Sequence, residues 1–268
     1  MKIDQINDKL IKEFIPNVLL EVEGETPLSK KLAPWIQAAK DWIESEYIGS
    51  GDFLNEGDNY RALRIIVLKA FADAVPSLDL IITSTGFGVV NTETVAPASK
   101  ERIERLIQSL QTKVDGELEI LLESCHRYPE WRESERGKYF CATFLSGFRD
   151  WCRMAFDSFD EMRSEAMHVE AIMEEQCFGH DLMTRLRDEY NSREPYTTHP
   201  LADPVHAAVK DVVYRINKPL IRTIWHKCRP IIEMLKRYPE YFDIWEKEMG
   251  DKFHPEPFKN DIKGSYYF

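Results

Sequence analysis

No stretch of this chain approaches the roughly 18 uninterrupted apolar residues that a membrane helix needs, and the opening MKIDQINDKLIKEF lacks the apolar run of a secretion signal. The expectation is a protein of the cytoplasm with no membrane contact. Cysteine is scarce and odd in number. The five, Cys125, Cys141, Cys152, Cys177 and Cys228, have no paired spacing, which argues against a disulfide framework and for reduced thiols. Phosphate-cradling loops are missing as well: there is no G-x-x-x-x-G-K-[ST] segment and no G-x-G-x-x-G opening a helix. No G-x-S-x-G elbow and no cysteine-protease signature occurs. A structural zinc site wants two closely spaced ligand pairs, and Cys177-x-x-His180, His226-x-Cys228 and Cys125-His126 do not make such a set. Basic charge is the minority sign, 35 against 46 acidic residues. The net charge of −11 disfavours binding of a polyanion unless a local basic patch overrides it. These absences predict no cofactor, no metal, no catalytic residues and no enzymatic activity.

Against these gaps stand 43% hydrophobic and 12% aromatic residues, enough to bury a real core. At 268 residues the chain is one large domain or two small ones. Leu32, Ile36, Ala39, Ile43 and Tyr47 recur at helical steps before Gly49. Met162, Ala166, Val169, Met173 and Cys177 repeat the pattern before Gly179, each 130 positions later. A second echo, Arg127-Tyr128-Pro129-Glu130-Trp131 against Arg237-Tyr238-Pro239-Glu240-Tyr241, is offset by 110. The two offsets differ by 20 residues, about the length of Leu78 to Pro97. That segment has β-prone runs, Leu78 to Thr83 and Phe87 to Val90, around Ser84-Thr85-Gly86.

The predicted fold is mainly α: two related helical halves, 1–130 and 139–268, joined by a linker at 131–138, with a β-hairpin at about 78–95 inserted in the first. Helices are expected at Tyr60 to Ala74, Ser99 to Cys125, Tyr139 to Phe156, Asp203 to Asn217 and Leu220 to Leu235. A long acidic helix is expected over Ser158 to Glu189, and a short strand around Val18, Leu20 and Val22. Cys141 and Cys152, about three helical turns apart, would share one buried face. The basic residues Arg61, Arg64, Lys69, Lys100, Arg102 and Arg105 alternate with carboxylates and read as a salt-bridged helix surface. Carboxylates such as Glu174, Glu175, Asp52, Glu56 and Asp58 read as solvated.

The stretch LDLIITSTGFGVVNTETVAPASKERIERLIQSL, through Gly86-Phe87-Gly88-Val89-Val90, Asn91 and Ala96-Pro97-Ala98-Ser99, resembles a family of uncharacterised proteins of Bacteroidetes phages and prophages. The closing Gly264-Ser265-Tyr266-Tyr267-Phe268 is similar to that family's aromatic end. The resemblance implies a virion protein, present in the host cytoplasm during assembly. It would be a head-to-tail connector or neck subunit forming a homo-oligomeric ring, with the portal and other neck or tail proteins as partners and DNA passing without specific contact. A subunit interface is then expected at Leu78, Ile81, Gly86, Phe87, Gly88, Val89, Val90, Tyr266, Tyr267 and Phe268, because unpaired strand edges find partners and aromatic anchors dominate interfaces. A monomeric protein-binding adaptor, or a small-molecule enzyme with an unrecognised acidic site, are the alternatives.

Overall fold

The computed structural model describes residues 3–16, 26–78, 80–83, 86–89, 99–148, 150, 156, 158–193, 199–215 and 221–254. The architecture is mainly α, and the chain divides into two compact units. Unit 1 is Met1–Phe140 with Gly147–Arg149, and unit 2 is Cys141–Ser146 with Asp150–Phe268.

Unit 1 contains α1 (Asp8–Phe14), α2 (Leu28–Lys31), α3 (Ala33–Ile43), α4 (Glu56–Leu78), α5 (Lys100–Cys125), α6 (Pro129–Glu133) and α7 (Glu135–Phe140). Its spine is α4, which packs against both α3 and α5. A helix covered on two sides needs apolar residues around most of its girth. The run from Ala62 to Ala74 supplies them: Leu63, Ile65, Ile66, Val67, Leu68, Ala70 and Phe71 are all buried. Helix α5 presents a single stripe instead, Leu110, Val114, Leu118, Leu121, Leu122 and Cys125. Between α4 and α5, β1 (Leu80–Thr83) pairs antiparallel with β2 (Gly86–Val89), Leu80 opposite Val89 and Thr83 opposite Gly86.

Unit 2 contains α8 (Phe159–Met173), α9 (His180–Ser192), α10 (Ala202–Arg215), α11 (Ile221–Leu235) and α12 (Pro239–Phe253). Ser158 caps α8, its hydroxyl accepting from the Glu161 amide at 3.2 Å. The core gathers Met162, Ala166, Val169 and Met173 of α8, Val205, Val209 and Val212 of α10, Ile224, Cys228 and Leu235 of α11, and Trp245 of α12.

Each unit repeats the same local arrangement. Helix α3 ends in a π-helical turn, Glu44–Ile48, and α8 ends in another, Glu174–Phe178. The amide of Gly49 donates to the Glu44 carbonyl at 2.9 Å, and that of Gly179 to Glu174 at the same distance. Both glycines take positive φ, 67° and 80°, a conformation a side chain would strain. A buried indole then closes each turn: Trp131 Nε1 donates to the Tyr47 carbonyl at 3.0 Å and Trp245 Nε1 to the Cys177 carbonyl at 2.8 Å. The two indoles come from the helices that follow the Arg-Tyr-Pro-Glu echoes. There, the preceding helices end at Cys125 and Leu235, Tyr128 and Tyr238 cap the next ones, and Pro129 and Pro239 open them in a position where no amide is needed.

Several expectations need correction. The segment 131–138 is no linker, since α6 and α7 occupy it, Trp131 and Gly137 are buried, and the units divide after Phe140. The helix expected over Tyr139 to Phe156 is interrupted: α7 ends at Phe140, residues 141–147 are non-helical, and Phe148 and Asp150 are helical again. Cys141 is therefore not on a helix, and Cys152 lies outside the described residues. The helix expected over Ser158 to Glu189 is broken at Gly179. A single 20-residue insertion does not account for the offsets. Unit 2 carries the extra helix α9 after Gly179, where unit 1 passes from Gly49 to α4 within residues 50–55, and α10 takes the place of α4 between first and third helices. The strand expected around Val18, Leu20 and Val22 lies outside the described residues, as do Val90 to Val95.

The tight corner at α7 gives one test. A Cβ on Gly137 would overlap the Trp131 carbonyl and lie 2.7 Å from Arg132 Cα, both backbone atoms that cannot swing aside. Gly137→Ala should lower the free energy of unfolding by ~3 kcal/mol in urea titrations, as overpacking does; an unchanged midpoint would contradict the packing described.

Candidate functional site

Of the ten residues the sequence singles out as an interface, the structure places five in the strand pair: Ile81 in β1 and Gly86, Phe87, Gly88 and Val89 in β2. Leu78 is the last residue of α4. Val90, Tyr266, Tyr267 and Phe268 lie outside the described residues, so the aromatic end is not brought to the strands by anything described. The sheet has two strands only, and among the described residues no third strand pairs with either outer edge. Such an edge is a row of amides and carbonyls available to another chain.

The polar chemistry of the described chain concentrates in unit 2 and had no signature in the sequence. Asn191, buried near the end of α9, donates from Nδ2 to the carbonyls of Cys141 and Thr143, each at 3.1 Å, and accepts the Ser146 hydroxyl at 2.6 Å. Glu170 of α8 accepts the Phe144 amide at 2.7 Å and Arg187 Nε at 3.0 Å. These side chains give the turn segment 141–146 the hydrogen bonds that a helix would otherwise have supplied. Burial pushes the Glu170 carboxyl up to about 7, and the Arg187 guanidinium and the Phe144 amide oppose that rise without cancelling it. Asp150 behaves in the opposite way. Burial pushes it up, but His206 at 3.8 Å and Lys210 at 2.7 Å outweigh that and hold it below its ordinary value. His206 also stacks on Tyr190 at 4.3 Å between centroids.

Other candidates are held in structural contacts. Cys177 is buried in the core while His180 is exposed, its Nδ1 2.8 Å from Glu174, which raises the imidazole's affinity for a proton. The hydrogen bond with Cys177 and then burial push the Cys228 thiol up, and burial does the same to Cys125. Asp58 accepts the Tyr128 hydroxyl at 2.6 Å; burial first, then this bond, push that phenol up to about 12. No group of three His, Cys, Asp or Glu side chains disposed to hold a metal ion occurs among the described residues. Five of the six basic residues read as a salt-bridged surface pair with carboxylates, Arg61 and Arg64 with Glu117, Lys69 with Asp73, Lys100 with Glu104 and Arg105 with Glu101, while Arg102 forms no ion pair among the described residues. An open groove of about 430 Å³ lies along α9, lined by His180, Asp181, Thr184, Arg185, Asp188 and Glu189. Its one guanidinium is already engaged by Glu189 and the Glu240 carbonyl and lies over the Tyr241 ring.

No helix among the described residues is long and apolar enough to cross a membrane. A family model described as "Family of unknown function (DUF6712)" matches residues 28–141, less than half of the chain. The match runs from the first residue of α2 to the residue after α7, so it coincides with the body of unit 1 and leaves unit 2 uncovered. No curated protein and no solved structure matches.

Proposed function

We propose that the chain is a structural subunit of a tailed-phage or prophage virion, a head-to-tail connector that assembles as a ring at the portal and works by fit to its neighbours. The observation that carries this reading is the strand pair at 80–83 and 86–89. It lies within the stretch that resembles phage proteins, and a two-stranded ribbon alone is at best marginally stable in water. A neighbouring subunit adding a strand to either edge would supply the missing hydrogen bonds, and in a ring such a head-to-tail contact closes by rotation. On this reading the hairpin is an insertion in the first of two copies of one helical module, the copies marked by the two π-turns and their indoles. Tyr266 to Phe268 would dock on an adjacent subunit in the same manner. The partners are then other copies, the portal and further neck or tail proteins, and the place of action is the virion after assembly in the host cytoplasm.

Removing Thr83 to Thr92 tests this. The helical content read by circular dichroism should stay within a few per cent of the parent, because the helices pack without that segment, while incorporation into particles is lost. Normal incorporation of the deletion variant would overturn the assignment of the hairpin as the assembly element.

A further inference from the structure

Helix α11 buries Ile224, Cys228, Ile231, Ile232 and Leu235. On its opposite side Arg222, Trp225, His226 and Arg229 are all exposed, at steps of three, one and three that put them on one face. This stripe contrasts with the paired cations of α4 and α5. Arg61, Arg64 and Lys69 of α4 and Lys100 and Arg105 of α5 each meet a carboxylate, and on α11 itself Lys227 is paired with Asp211. Among the described residues Arg222, His226 and Arg229 engage none. Two uncompensated guanidiniums on a chain of net charge −11 are a local reversal of sign, which is the condition under which an acidic protein can hold a polyanion.

The indole between them narrows the partner. Trp225 is 41% exposed, and Phe253 lies nearly parallel to it, 18° between planes and 5.6 Å between centroids. Phe253 in turn rests at 4.9 Å on Trp245, the core indole that closes the π-turn. The exposed ring is therefore backed by an aromatic column reaching into the core, and it is held as a flat surface. An acidic peptide would use the guanidiniums but has no use for a braced planar face. An unpaired nucleobase does, and the two guanidiniums, about 10.5 Å apart along the helix at seven residues' rise, suit phosphates on either side of it. We propose that the Arg222, Trp225, His226, Arg229 face of α11 binds single-stranded nucleic acid, Trp225 stacking on an unpaired base and the arginines contacting the backbone phosphates.

This inference does not depend on the connector reading, because the site lies on one helix of one chain. Its test uses the full-length protein and a short fluorescein-labelled oligothymidylate in low salt, followed by anisotropy. Binding is expected, weaker for a duplex of the same length, with log K falling against log salt at a slope of about −1.4, as two neutralised phosphates on a single strand require. Arg222→Glu with Arg229→Glu should abolish binding, and Trp225→Ala should weaken it by about tenfold. Because both arginines are exposed, the charge-reversed protein should keep its circular dichroism spectrum, which separates loss of the site from loss of the fold. No binding in low salt, binding unchanged by these substitutions, or displacement of the oligonucleotide by polyglutamate as readily as by unlabelled DNA would overturn the proposal, the last in favour of an acidic polypeptide. None of these results bears on particle assembly.

Discussion

Trp245→Ala should destabilise the protein by ~4 kcal/mol, and Trp131→Ala by a similar amount. Both indoles are buried to within 1% exposure, so truncation leaves a large cavity. Both also donate to a carbonyl near the end of a π-helical turn, where the helix stops and its last oxygens have no intrahelical amide. Phenylalanine separates the two contributions. It fills most of the cavity but strands the carbonyl of Tyr47 or Cys177, at a cost of ~1–2 kcal/mol. Trp42 is a control: it is only partly buried and lies under the Lys69 ammonium at 4.9 Å, and its replacement by alanine should cost much less. Urea titrations monitored by circular dichroism would rank the variants. If Trp245→Ala and Trp42→Ala were equally mild, the indoles would not be the closures of the two π-turns.

The second large effect is a pH dependence localised to one carboxyl. Glu170 holds its proton more tightly when folded, at about 7 against 4.5, so its contribution to stability is fully present below pH 4.5 and is lost as the pH rises through 7. At 1.36 kcal/mol per pH unit the loss is ~3 kcal/mol between pH 4.5 and 8. Asp150 titrates in the opposite sense: held below its ordinary value, it adds stability above the unfolded value and loses it only on acidification. The informative quantity is therefore the difference between Glu170→Gln and wild type. Glutamine keeps an oxygen for the Phe144 amide and carries no charge to desolvate, so the variant should gain on wild type by ~3 kcal/mol from pH 5 to 8. Parallel stability curves would show that Glu170 ionises without penalty and that Arg187 compensates its burial fully.

The helical stripes were legible because their partners are local. Leu32, Ile36, Ala39 and Ile43, and Met162, Ala166, Val169, Met173 and Cys177, are all buried as their spacing requires. The π-turns were not legible. The spacing places Tyr47 on the buried stripe, but the turn adds one residue, so Ile48, five positions after Ile43, is buried instead. Residues 141–146 misled for a different reason. Phe140, Phe144 and Phe148 recur at helical steps, yet the backbone between them is bonded by Asn191 and Glu170, which lie 48 and 26 residues from their partners Thr143 and Phe144. No local pattern encodes such a bond. The Arg-Tyr-Pro-Glu echoes were visible as a repeat, but their service in aiming an indole at a turn 84 or 68 residues earlier required the fold. The interface candidates were legible only as a β-prone insert, and the basic face of α11 was hidden by the acidity of the whole chain.

The connector assignment is tested most directly by imaging particles made with this protein present and absent, from a host carrying the intact element and one carrying its deletion. The account predicts that without it filled or empty heads accumulate with no tail attached, and that supplying the protein restores joined particles. Complete tailed particles assembling in normal number in its absence would contradict it.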